Sequence, residues 1–185
     1  MISKTDMLQD IEKVLVTEEE IRTAVATMGE KLAEEYRGKC PVVVGILKGV
    51  VPFYAAMTEA MPIPLQEDFM VVSSYGDGTE SSGEVVFRKD LGIDIEGRHV
   101  LLLEDIVDTG LTLKKVVEKL WERKPASIKV CTLLDKPSGR KVEFAPDYCC
   151  FTIPDGFVVG CGLDYADYYR NLPFVGILKK NVYMD

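Results

Sequence analysis

The stretch His99-Val-Leu-Leu-Leu-Glu-Asp-Ile-Val-Asp-Thr-Gly-Leu-Thr112 constrains this chain more than any other. Val100, Leu101, Leu102 and Leu103 form an unbroken apolar run, the pattern of a strand covered on both faces. Three carboxylates then arrive within five positions, at Glu104, Asp105 and Asp108. The chain turns at Thr109-Gly110, and Leu113, Val116, Val117, Leu120 and Trp121 recur at helical spacing. Strand, acidic turn and helix in that order build a ligand site at the carboxyl edge of a parallel sheet. An α/β fold is the expectation.

The amides of Asp108 to Thr112 would face outward at a helix N-terminus, where phosphate binds readily. Clustered carboxylates repel phosphate, so they should serve another part of the same ligand. A sugar phosphate meets both demands: amides for the phosphate, Glu104 and Asp105 for a ribose diol, Asp108 left for chemistry. The plainer alternative is an acidic turn in which Asp108 or Thr109 only caps the helix.

Composition narrows the field. A chain of 185 residues can bury one sizeable core. Its net charge of −8 argues against broad binding of nucleic acid, which needs a basic surface. Five cysteines, at 40, 131, 149, 150 and 161, show no metal-type spacing and read as reduced thiols. The first residues lack an apolar signal core and no run is long enough to span a bilayer, so a cytoplasmic location with no membrane contact is expected.

Along the chain, 12–16 reads as a strand. Thr17-Glu-Glu-Glu20 has capping-box spacing before a helical stripe of Ile21, Ala24, Val25, Met28, Leu32 and Tyr36. Strands are expected at 41–45, 66–74, 84–89, 126–134, 149–153, 157–160 and 174–178, and a helix over 51–61 with Pro52 in its first turn. The polar segment 75–83 is either a solvated connection or a lid.

Glu104-Asp-Ile-Val-Asp-Thr-Gly-Leu-Thr112 resembles the phosphoribosyl-pyrophosphate motif of type I phosphoribosyltransferases. Other segments narrow the resemblance to hypoxanthine-guanine phosphoribosyltransferases, over nearly the whole chain from about Glu12. The implied fold is a mainly parallel central sheet flanked by helices, a single domain over 1–185. Its N- and C-terminal segments would form a small hood. The implied activity is purine salvage: transfer of a 5-phosphoribosyl group from phosphoribosyl pyrophosphate to hypoxanthine or guanine, giving IMP or GMP and pyrophosphate.

The same resemblance implies roles. The 5′-phosphate would sit on Asp108, Thr109, Gly110, Leu111 and Thr112, with Glu104 and Asp105 on the ribose and Asp108 as general acid/base. Lys48 and Gly49, in Leu47-Lys48-Gly49, would meet pyrophosphate, in a loop that often carries a non-proline cis peptide. Alone, that tripeptide is an ordinary turn. Ser74 and Tyr75 would open the closing lid. Lys136 would donate to the 6-oxo group, as a donor-only ammonium suits a 6-oxopurine and not adenine. Phe157 would stack on the base and Val158 would read its edge. Arg170 would hold pyrophosphate. Magnesium would be held through water by Asp164, with Glu104 and Asp105. Val50 stands where some members have glycine. A homodimer or homotetramer is the implied assembly.

Two rivals differ in class. A phosphoribosyltransferase for another base would lack the combination of Lys136 and Phe157. A non-catalytic sensor or RNA binder would have lost Asp108 or gained a basic surface. His99 reads as structural.

Overall fold

A computed structural model describes residues 4–74 and 85–184. A six-stranded sheet runs in the order β4-β3-β2-β5-β6-β7, built from β2 (Val42–Leu47), β3 (Gln66–Ser74), β4 (Val85–Lys89), β5 (His99–Val107), β6 (Ser127–Asp135) and β7 (Tyr148–Thr152). Only the β3–β4 pairing is antiparallel; the other four are parallel. The chain winds outward from β2 to β3, returns to β5 beside β2, and winds the other way through β6 and β7. The crevice between β2 and β5 is therefore a topological switch point, the place where open α/β sheets bind ligands.

Alternation along β5 explains its apolar run. Leu101 and Leu103 point into one core with Val43, and Val100 and Leu102 point into the other with Val42 and Val44. The first core is closed by α2 (Glu18–Glu35) and α3 (Val51–Glu59), through Ile21, Val25, Leu32, Phe53 and Met57. The expected capping box is present: Thr17 takes the Glu20 amide and Glu20 takes the Thr17 amide. The second core is closed by α4 (Leu111–Trp121), whose Leu113, Val116 and Leu120 are buried. Each such side chain contributes about 1.5–3 kcal/mol. Trp121 departs from the expected stripe. It is 48% exposed, because the helical period turns it about 100° from Leu120 onto the flank.

A second sheet, β1-β9-β8, is antiparallel and joins β1 (Ile11–Val16), β9 (Val175–Leu178) and β8 (Val158–Val159). It brings early and late segments together, and Val158 of β8 shares a cavity with Ile106 and Asp108 at the end of β5. Two short helices were not anticipated, α1 (Lys4–Gln9) and α5 (Lys180–Tyr183), nor was a 3-10 turn at Pro137–Gly139. His99 sits at the start of β5 with its Nδ1 2.8 Å from Ser127 Oγ, away from the crevice. All five thiols are free.

Candidate active site

The acidic turn lies where β5 leaves the sheet. Gly110 is the residue before α4, at φ +79°, and has no side chain with which to cap the helix. That left-handed backbone suits glycine, which offers no side chain to the helix amides. The Thr109 hydroxyl accepts from the Leu111 amide at 3.3 Å. A cavity of about 150 Å³ is lined by Glu104, Asp105, Asp108, Thr109, Gly110 and Thr112 among others. Capping is not the role of Asp108. Its carboxylate turns away from the helix and pairs with Lys136, Oδ2 to Nζ 2.8 Å.

Glu104 and Asp105 stand next to each other in β5, and both carboxyls are drawn out of water. Burial pushes Glu104 well above the usual carboxylate range, with the Asp105 charge adding to it; its Oε2 is buried without a partner. Burial pushes Asp105 up to about 6, against the Ile106 amide bonded to its Oδ1 at 2.7 Å and the nearby charge of Arg170. Such groups are destabilised as anions until a cation or hydroxyl donors reach them.

Across the crevice, β2 ends in a cis Leu47-Lys48 peptide. Gly49 follows, pressed between Asp105 and Gly162. A Cβ at Gly49 would fall 1.8 Å from Asp105 Oδ2, and one at Gly162 would fall 1.8 Å from the Gly49 carbonyl. At Gly162, where the obstacle is backbone and φ is +99°, only glycine fits; at Gly49 the Asp105 carboxylate would have to shift. Lys48 and Arg170 converge on Asp167: Nζ and Nη2 lie 3.1 and 3.2 Å from the same oxygen, Oδ1. Arg170 also reaches Asp164 at 2.7 Å and donates to the Gly162 carbonyl at 2.8 Å. Asp167 was not singled out from the sequence. The turn that holds it carries Ala166, Asp167 and Tyr169 at positive φ, a strained arrangement for residues with side chains.

The other flank forms a cavity of about 140 Å³ between Phe157 and Val158 on one side and Ile106, Asp108, Lys136 and Leu163. Lys136 is fixed from its backbone, its amide donating to the Val107 carbonyl at 2.9 Å. Arg140, missed in the sequence reading, donates to the Asp108 carbonyl at 2.6 Å and pairs with Asp135. The Lys141 amide donates to the Thr109 carbonyl at 2.9 Å. The segment after β6 is thus clipped along the acidic turn. Its only sequence signal is a charged residue just beyond Pro137-Ser-Gly139.

The crevice therefore brings together Glu104, Asp105, Asp108, Thr109, Gly110, Thr112, Lys48, Gly49, Lys136, Phe157, Val158, Asp164 and Arg170. The Leu111 amide, at the start of α4, is taken by the Thr109 hydroxyl. Ser74 ends β3, but its side chain and the expected lid from Tyr75 onward lie outside the described residues. Among the described residues, no three His, Cys, Asp or Glu are grouped to hold a metal ion, and no helix is long and apolar enough to cross a membrane.

Comparison with known proteins identifies the family. Residues 14–166 match the family model described as a phosphoribosyl transferase domain. The hypoxanthine-guanine phosphoribosyltransferase of Bacillus subtilis is 53% identical over 177 residues, covering 96% of this chain and 98% of that protein. That of Lactococcus lactis is 56% identical over 173 residues, covering 94% of each. A crystal structure of a hypoxanthine phosphoribosyltransferase from Staphylococcus aureus superposes with a TM-score of 0.93 at 49% identity, covering 97% of both chains. A likeness this long, in sequence and in fold, carries one conclusion: the chain belongs to the hypoxanthine-guanine phosphoribosyltransferase family.

Proposed function

We propose that the chain transfers the 5-phosphoribosyl group of phosphoribosyl pyrophosphate to hypoxanthine or guanine, releasing pyrophosphate and forming IMP or GMP. The observation that carries this reading is the placement of Asp108. It stands at the junction of the two cavities, one at the start of α4 and one between Phe157 and Leu163. A ribose phosphate in the first presents its anomeric carbon to a base in the second.

The bond from C1 to the pyrophosphate oxygen breaks and a bond from C1 to a purine ring nitrogen forms. The purine gives up one ring proton, and Asp108 is the carboxylate within the base pocket that receives it. Amides of Asp108 to Thr112 and the Thr109 and Thr112 hydroxyls hold the 5′-phosphate. Glu104 and Asp105 accept from the ribose hydroxyls, which would relieve the cost of their burial. Lys48, Gly49 and Arg170 take the leaving pyrophosphate, whose charge displaces Asp167 from the two cations. Lys136 leaves Asp108 to donate to the 6-oxo group, while Phe157 stacks on the ring and Val158 lines its edge. By resemblance, a lid opening at Ser74 and Tyr75 would exclude water from the ribosyl centre; it lies outside the described residues.

Magnesium suits these residues. The orphaned Glu104 oxygen beside Asp105 is a site for positive charge, and a partly hydrated ion shared with substrate phosphates needs no three-residue cage. Asp164, Glu104 and Asp105 would hold it, and it would supply charge neutralisation on pyrophosphate. The expected assembly, a homodimer or homotetramer, is read by light scattering on the purified chain.

The deciding experiment is a base panel with phosphoribosyl pyrophosphate and magnesium, run on wild type and Asp108→Asn. Turnover of 6-oxopurines should fall by roughly two to four orders of magnitude in the variant. Equal turnover would remove Asp108 from proton transfer, and absence of 6-oxopurine turnover in wild type would sink the reading.

A further inference from the structure

Phe157 is not a lone ring at the base pocket. Tyr183, the last residue of α5, stacks on it with centroids 4.7 Å apart and planes 24° from parallel. Tyr165 meets it edge-on, at 5.7 Å and 89°. Together they fix the ring from two directions.

The cavities show where Tyr183 stands. Lys136, Gly156 and Phe157 line both the inner pocket of about 140 Å³ and an outer chamber of about 410 Å³, whereas Tyr183 and Lys180 line only the outer one. Phe157 is thus a partition, with the inner pocket on one side and the tyrosine on the other. The helix that carries Tyr183 has no fully buried residue of its own. Its place is set by the strand before it, where the Leu178 amide donates to the Phe157 carbonyl at 2.8 Å, and by the Lys179 amide donating to Asp10 at 2.9 Å. Val182 adds a partly buried contact to the small core of the hood.

We propose that Tyr183 is a positioning residue of the base site, backing Phe157 so that its free face stays parallel to a purine bound in the inner pocket. This rests on the assignment of Phe157 as the base-stacking ring. A half-buried phenyl ring hinged on Cβ is free to rotate, and each rotation away from parallel forfeits contact with a planar ligand. A stacked neighbour removes that freedom before the base arrives, which is preorganisation. The hydroxyl of Tyr183 has no part in this; the ring does.

Steady-state kinetics on the full-length chain tests it with three variants, Tyr183→Ala, Tyr183→Phe and Phe157→Ala. Tyr183→Ala should raise KM for hypoxanthine roughly threefold to tenfold, the range of one lost aromatic pair, with KM for phosphoribosyl pyrophosphate unchanged. Tyr183→Phe should restore the wild-type value. Loss of general integrity would move both KM values and the melting temperature together, and that result overturns the proposal. So does an unchanged hypoxanthine KM in Tyr183→Ala when Phe157→Ala raises it. If Phe157→Ala also leaves the hypoxanthine KM unchanged, the base-stacking assignment itself falls, and Tyr183 with it.

Discussion

Lys136 Nζ lies 2.8 Å from Asp108 Oδ2, so the proposed base-reading cation and the proposed proton acceptor occupy each other in the ligand-free protein. The Lys136 side chain is only 13% exposed, while that of Asp108 is 41% exposed, so the pair is shielded on the lysine side. A 6-oxopurine must separate them, and it offers each a replacement: an acceptor for the lysine and a ring N–H for the aspartate. Removing the ammonium should therefore weaken base binding selectively. Lys136→Met should raise KM for hypoxanthine and guanine about tenfold to a hundredfold, with little change in KM for phosphoribosyl pyrophosphate. It should also narrow the preference over adenine. Competition assays with paired bases check this, and an unchanged preference would take Lys136 out of base selection.

Buried carboxyls make stability fall as pH rises. The folded-state value of Asp105 is raised to about 6, so the folded protein holds a proton there that the unfolded chain has already lost near pH 4. Stability from this group is complete below the unfolded value and is lost as pH climbs through about 6. Glu104 shifts in the same direction and extends the effect upward. Urea melts of the ligand-free protein should lose on the order of 2–3 kcal/mol between pH 4 and 7. Asp105→Asn should flatten that slope and stabilise the protein near pH 7 while lowering turnover. A slope unchanged in the variant would show that Asp105 is solvated.

Steric closeness at Gly49 gives a sharper expectation. A methyl group there would overlap Asp105 Oδ2, forcing apart the proposed pyrophosphate loop and the proposed ribose carboxyl. Overpacking of this kind costs about 1–3 kcal/mol. Gly49→Ala should retain a wild-type circular dichroism spectrum and lower kcat/KM for phosphoribosyl pyrophosphate by about tenfold or more. Wild-type kinetics in Gly49→Ala would mean that the two segments part freely.

On the proposed reading, Asp167 would compete with the leaving pyrophosphate for Lys48 and Arg170. Two cations share its Oδ1, and Lys48 and Arg170 hold its pKa below the usual value. The side chain is 68% exposed, so the effect on stability should be slight. Asp167→Asn should tighten product inhibition by pyrophosphate about twofold to fivefold. Weaker inhibition would reverse the assignment, making Asp167 a brace for the two cations.

Much of this was legible because the governing patterns are local. Apolar runs marked β2, β5 and β6, since strands covered on both faces need them, and the capping box marked the start of α2. Glu104, Asp105 and Asp108 stood out because three carboxylates at the end of such a run have no packing purpose. What escaped depends on distance in sequence. Arg140 serves a carbonyl thirty-two residues earlier, and nothing around it announces that partner. The pairing of Lys136 with Asp108 joins loops after different strands. Helices α1 and α5 are too short to show a period and are held by tertiary contacts. Trp121 looked like core because periodicity reports the direction of a side chain and not how far the sheet extends beneath it.

The Arg140 clip has a consequence for how the two substrates sense each other. The loop that carries Lys136 and the loop that carries the proposed phosphate amides are joined by hydrogen bonds at Asp108, Thr109 and Val107. If the proposed subsites are right, a shift of one loop should be felt by the other. Linkage requires that influence to be mutual: whatever factor a bound ribose phosphate gives to purine affinity, the purine returns in full.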